Sequence, residues 1–265
     1  MNNSAQVDKA GHEYWDKSWS ETPLPTIFDP YDTALDNTFY VRVHKYFERL
    51  VAGRKNLKIL EIGCAHSVWP LYFTKYHGAQ VDGLDYSETG CVKTREMWAA
   101  QGLSGRIVCA DMFEPPADMI GQYDLVMSFG VVEHFKDTAS CLKACSRFVK
   151  TGGQLFTMIP NMSGLVGMLQ KYVDRDIYDI HVPLSRDMLA TAHQKSELKI
   201  EEAQYFMGLH LGVVNSGRHA GRPVDKILRR ALSIPGKLLW LAERTGVYLP
   251  ANRLTSPYIF VLARP

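Results

Sequence analysis

Ile59-Leu60-Glu61-Ile62-Gly63-Cys64-Ala65-His66-Ser67 is an aliphatic strand that ends at an acid and enters a small-residue turn opening a helix-length stretch. The same grammar continues outward from it. Short β-branched or aliphatic runs at 58–62, 80–84, 106–109, 123–128 and 154–159 read as strands, with apolar residues at helical spacing near 67–76, 88–101 and 137–149 between them. Strands that alternate with helices imply a parallel sheet with right-handed crossovers, an α/β, Rossmann-like, doubly wound fold. Lys150 to Gly153 reads as the turn that ends the last of these helices, with both glycines free to take positive φ.

The flanks extend this frame. Leu35, Phe39, Val43, Phe47 and Leu50 form a helical stripe within 32–50 that should pack on the sheet or close its open end as a lid. Downstream, 185–193 reads as a helix, 199–206 as a strand and 258–263 as the final strand. The expected organisation is an N-terminal arm or lid at 1–56, a nucleotide-binding-type core at 57–206 and 256–265, and a helical insertion at 207–255. The insertion is too long for a hairpin loop. Its stretch 218–253 holds eight Lys or Arg against two acids, although the whole 265-residue chain carries only +2.

Composition excludes several classes. With 46% hydrophobic and 22% charged residues the chain is neither disordered nor fibrous. Five cysteines without a Cys-x-x-Cys pair give neither a disulfide framework nor a zinc knuckle, and reduced thiols suit the cytoplasm. The first residues, 1–11, are polar and lack the apolar run of a signal peptide. The apolar stretch 231–242 is broken by Ser233, Pro235, Gly236 and Lys237 and falls short of the roughly 20 residues that a membrane span needs. A cytoplasmic chain without a membrane-spanning segment is expected.

In an open α/β sheet, ligands bind beyond the carboxyl ends of the strands, where the Gly63 turn lies. A dinucleotide site would place G-x-G-x-x-G there, but this chain offers Gly63, Ala65 and Val68, so a pyrophosphate fits poorly. S-adenosylmethionine carries no phosphate. It needs a small-residue turn against its methionine part and a nearby carboxylate to orient its amino group or a water; Gly63, Cys64, Ala65 and Glu61 occupy those positions. Gly83-Leu84-Asp85-Tyr86-Ser87 then sets a carboxylate where it can accept both ribose hydroxyls, followed by a ring for adenine. Ala110-Asp111-Met112 adds an acceptor for the adenine amino group and a thioether for its face. Ser128-Phe129-Gly130-Val131-Val132-Glu133-His134-Phe135 falls beside the place of reaction.

With these four motifs in order over 58–160, the chain resembles the class I S-adenosylmethionine-dependent methyltransferases. The resemblance is to the branch of ubiquinone-pathway-like O-methyltransferases and enzymes of glycan and natural-product pathways. It implies a seven-stranded sheet with an antiparallel last strand and S-adenosyl-L-methionine contacts at Glu61, Gly63, Asp85, Asp111 and Phe129. Ala65 and Ser67 depart from it, since the family usually has glycine there.

An attacking hydroxyl needs a base titrating near neutrality within hydrogen-bond reach. His134 is one candidate; its alternative role is to cap the helix that begins near Asp137 or merely to shape the pocket. His181 is the other, with Asp179 two residues earlier to orient it. Tyr14, Trp15 and Trp19 either close over the sulfonium or anchor the arm. No metal is expected: the nine histidines are scattered, and adjacent Glu133 and His134 should project differently.

The expected acceptor is a small molecule, anionic or carbohydrate, methylated on oxygen, with nitrogen and carbon open as alternatives. In the insertion, Ile227, Leu228, Ala231, Leu232, Leu238, Leu239, Trp240 and Leu241 alternate with Arg229, Arg230, Lys237 and Arg244. That pattern suits a cap over the acceptor, which is preferred, a homodimer face, or a peripheral contact with an anionic membrane. Nucleic acid is not expected, because the basic charge is local and no reader motif accompanies it. An NAD(P)-dependent oxidoreductase and a non-catalytic cofactor-binding protein are the alternatives of another class.

Overall fold

The computed structural model describes residues 8–103, 105–217 and 221–265. The polar residues 1–7, and with Arg218 one of the eight basic residues of the 218–253 stretch, lie outside them. Nine helices among the described residues are α1 (His12–Glu21), α2 (Thr38–Val51), α3 (Trp69–His77), α4 (Glu88–Ala100), α5 (Thr138–Ser146), α6 (Leu165–Val173), α7 (Arg175–Asp179), α8 (Arg186–Lys195) and α9 (Pro223–Glu243). The strands are β1 (Lys58–Ile62), β2 (Gln80–Asp85), β3 (Ile107–Cys109), β4 (Tyr123–Phe129), β5 (Val149–Pro160), β6 (Lys199–Phe206) and β7 (Tyr258–Arg264).

All seven strands form one sheet in the order β3-β2-β1-β4-β5-β7-β6, with β7 antiparallel to both β5 and β6 and the other pairings parallel. This is the expected Rossmann-like sheet with an antiparallel last strand. The chain winds from β1 outward through β2 to β3, then returns to β4 on the other side of β1. The crevice between β1 and β4 is therefore a topological switch point.

Both faces of the sheet are covered, as the continuous apolar strands require. On one face Leu60 and Ile62 of β1 pack with Leu142 of α5 and Leu189 of α8. On the other, Ile59 packs with Phe47 of α2 and with Trp69 and Phe73 of α3. Helix α2 is thus a core element and not a lid, because its apolar stripe is consumed by the sheet. Among the described residues no helix is long and apolar enough to cross a membrane.

Several boundaries move. Residues 150–153 are not a turn: β5 already begins at Val149, Gly152 alone takes positive φ (79°), and the pairing with β4 shifts register between Tyr123 and Leu125. Helix α2 starts at Thr38, after a 3-10 turn at Leu35–Asn37, so 32–34 are not helical. Helices α1, α6 and α7 were not legible in the sequence pattern. Helix α9 runs unbroken through Pro235. Its inward face, with Leu232, Gly236 and Trp240 buried, offsets the roughly 3 kcal/mol that an internal proline costs.

Candidate active site

The site grows from the end of β1. Gly63 turns the chain with φ 74°, and a Cβ there would lie 2.4 Å from Val131 Cγ2, so the loop after β4 presses directly on this turn. The Gly63 amide donates to the Leu84 carbonyl at 2.8 Å, which ties the turn to the end of β2. Asp85 then holds both loops together. Its Oδ2 accepts from the Ala65 amide at 3.0 Å and its Oδ1 from the Ser87 amide at 2.9 Å. Burial pushes the Asp85 carboxyl up to about 6 despite these donors.

Glu61 is buried at the end of β1. Ser67 Oγ donates to its Oε1 at 2.8 Å, while Oε2 is buried without a partner. Burial, with the Asp85 charge adding to it, pushes Glu61 up to about 8. Ser67, a departure from glycine in the family pattern, therefore serves as the hydrogen-bond partner of this acid.

A cavity of about 570 Å³ opens at these strand ends. Glu61, Gly63, Ala65, Asp85, Tyr86, Asp111, Met112, Phe129, Gly130 and His134 all line it, so nine of the ten expected cofactor contacts and one of the two candidate bases share one space. Asp111 lies exposed at its rim, where its Oδ1 accepts from the Phe113 amide at 2.9 Å. Phe129 is held by stacking on Trp69, with centroids 4.9 Å apart.

Two expected residues fall outside the lining. Cys64 is fully buried and turned toward β2, where a Cβ on Gly83 would come within 2.6 Å of its Sγ; it packs with Leu71, Cys91 and Trp98. His181 lies behind His134, with the rings 4.5 Å apart. Asp179 does not orient it. Asp179 pairs with Arg175 in solvent, and His181 Nδ1 donates instead to the Ile177 carbonyl at 2.6 Å. Burial pushes the His181 imidazole down to about 4, so it is neutral near pH 7.

His134 is not the helix cap, since Asp137 itself accepts from the Ser140 amide at the start of α5. His134 Nδ1 lies 3.0 Å from the Ile180 carbonyl, and burial holds the ring below the ordinary histidine range. A carbonyl only accepts, so the neutral ring carries its proton on Nδ1 and leaves Nε2 as the basic nitrogen.

Glu133 and His134, expected to project differently, come together with His181. The 3-10 turn at Val132–His134 and the 180–182 loop are bonded to each other, and one ligand atom from each of the three residues lies within 4.8 Å of the others. Both Glu133 oxygens are buried without a partner, and burial pushes its carboxyl up to about 8. This is a donor set that a divalent ion could use.

The cover of the cavity is α1. Trp15 and Trp19 line it, and Trp15 meets His134 edge-on at 5.0 Å. Tyr14 does not line it and contacts Trp15 instead. The arm is fastened on both sides. Asp16 accepts from Ser87 Oγ and the Thr89 amide, Asp8 accepts from Tyr86 and Trp15, and Lys9 donates to the His181 carbonyl. Asp8 and Asp16 were missed in the sequence, where isolated acids in a polar arm carry no periodic signal. No described residue of the 207–255 insertion lines the cavity. Its helix α9 packs instead beside the Leu35–Asn37 turn and on His210.

Residues 60–157 match the family model described as a methyltransferase domain. Among curated relatives, the ubiquinone biosynthesis O-methyltransferase of Pseudomonas aeruginosa is 32% identical over 155 residues, a match covering 57% of this chain and 60% of the relative. The chain therefore spans about three fifths of the length of the curated relatives it matches. Among solved structures, a coclaurine N-methyltransferase bound to N-methylheliamine and SAH superposes with a TM-score of 0.64 at 15% identity, covering 98% of this chain and 84% of that one. A geranyl diphosphate C-methyltransferase from Streptomyces coelicolor, solved with Mg2+, geranyl diphosphate and S-adenosyl-L-homocysteine, gives 0.59 at 13%, covering 96% and 97%. At such identities these structures establish the fold.

Proposed function

We propose, from the match of residues 60–157 to a family model described as a methyltransferase domain, that the chain is an S-adenosylmethionine-dependent methyltransferase of the cytoplasm. Its acceptor in this reading is a small molecule, a sugar, lipid-linked intermediate or natural product, methylated on oxygen. The observation that carries this reading is the convergence of Glu61, Gly63, Asp85, Asp111 and His134 on one cavity at the switch point. Gly63 lines the cavity where a methionine tail would lie, and the unpartnered Glu61 oxygen is an acceptor waiting for a donor.

The cofactor supplies an electrophilic methyl carbon on sulfur. Asp85 and Asp111 would hold its ribose and adenine, Glu61 its amino group, and Trp15 and Trp19 would exclude water. His134 Nε2, the basic nitrogen facing the cavity, would take the proton of an acceptor hydroxyl. Alignment in a closed cavity contributes most of the acceleration. Isothermal titration with S-adenosylhomocysteine and with NADH is the direct test. Binding of NADH alone would overturn the reading.

Two further results are expected. Glu61 holds its proton up to about 8 in the free protein, and a cationic amino group favours the ionised form. Binding should therefore release a proton, and affinity should rise with pH until it levels above about 8. Calorimetry in two buffers of different ionisation enthalpy reads this directly, and no proton release would remove Glu61 from the amino-group position.

For the base, His134→Ala should lower kcat by about 100-fold with S-adenosylhomocysteine affinity nearly intact. His181→Ala should lower kcat less, because His181 acts only by buttressing His134. Equal losses of turnover and cofactor affinity in both variants would place these rings on the wrong side of the cavity.

A further inference from the structure

Helix α9 sorts its residues by face. Ile227, Ile234, Leu238 and Leu241 fall at spacings of seven, four and three, which aligns them on one stripe of an α-helix. All four point outward, between 52% and 66% exposed. Beyond the helix end, Val247 and Tyr248 are exposed as well.

Charge is sorted with equal clarity. The two acids of the helix, Asp225 and Glu243, lie on the opposite, inward side. Asp225 accepts from Ser216 and pairs with Arg229, and the buried Glu243 pairs with Arg42. Lys226 and Arg230, one turn apart on the edge of the apolar stripe, are exposed and form no ion pair among the described residues. Lys237 on the same edge reaches Asp36. The outward face is thus apolar with a cationic border and no acid of its own.

The geometry points to α9 as a docking face for an anionic lipid bilayer, lying in the interface with its apolar stripe among the acyl chains and Lys226 and Arg230 at the headgroups. An apolar stripe beside lysine and arginine is the composition that rests in a membrane surface. The helix is not apolar enough to span. A second copy of the chain is a poorer occupant, because a two-fold contact would bring the Lys226 and Arg230 of both copies together, while the exposed Asp36 at that border is already held by Lys237. Nothing in this inference requires that the cavity transfer a methyl group.

The test is flotation of the full chain with vesicles of phosphatidylcholine alone and of phosphatidylcholine mixed with phosphatidylglycerol, at low and high salt. The chain should float with the mixed vesicles and less so at high salt. Lys226→Glu with Arg230→Glu should weaken partitioning roughly tenfold or more. Ile234→Glu with Leu238→Glu should abolish it.

Both double variants replace exposed side chains, so Tm and S-adenosylhomocysteine affinity should equal those of the parent. Those two measurements separate failure of this inference from failure of the cavity assignment. The inference is overturned by absence of binding to the mixed vesicles, by binding that survives the glutamates, or by equal binding to neutral vesicles. It is also overturned if sedimentation velocity shows a dimer that Ile234→Glu with Leu238→Glu dissolves while no vesicle is bound.

Discussion

Asp85→Ala should lower S-adenosylhomocysteine affinity by about 1.5 to 3 kcal/mol, some ten- to more than a hundred-fold, and destabilise the free protein as well. The first effect is the loss of a charged acceptor for ribose hydroxyls. The second follows from what the carboxylate already does without ligand. It receives the Ala65 and Ser87 amides, and its removal leaves two donors unsatisfied in a buried loop junction, at about 1 to 3 kcal/mol each if water cannot reach them. Asp85→Asn does not escape, because its amide nitrogen would face one of these donors. Calorimetry and thermal unfolding read the two losses separately. A fall in Tm with unchanged ligand affinity would leave Asp85 a structural clamp and remove the ribose from its position.

Gly63→Ala should destabilise the fold by about 2 to 4 kcal/mol and take cofactor affinity with it. Two costs add. A residue other than glycine at φ 74° is strained, and the new Cβ would fall 2.4 Å from Val131 Cγ2. The backbone cannot slide away cheaply, because the Gly63 amide is bonded to the Leu84 carbonyl. Adding Val131→Ala removes the clashing methyl and should restore the steric part while the conformational part persists. Chemical denaturation of the two single variants and the double variant measures that coupling. Additive losses in the cycle would show that the β1 and β4 loops do not press on one another.

The core of the fold was legible because its signals are local. Aliphatic runs that end in acids at Glu61 and Asp85, separated by helical spacing, specify strands and crossovers without reference to anything distant. The same locality made the carboxyl edge readable as a ligand site, since side chains that follow parallel strands must emerge at one end of the sheet. Reading failed where a long-range contact decides. Cys64 sits inside the small-residue turn yet is claimed by the packing of α4 against β2, and Asp179 neighbours His181 in the chain yet turns to Arg175.

By itself, then, the sequence determined the α/β winding, the position of the crevice and the acids that line it, because these follow from periodicity and from where strands end. Only the tertiary structure decided that α1 covers the cavity, that α2 belongs to the core, that His181 stands behind His134, and that α9 turns an apolar, cation-edged face outward. Each of those outcomes depends on which surfaces meet across long stretches of chain, as Asp8 meets Tyr86 and Arg42 meets Glu243. Such pairings are set by burial and charge neutralisation in three dimensions, and no periodic pattern along the chain encodes them.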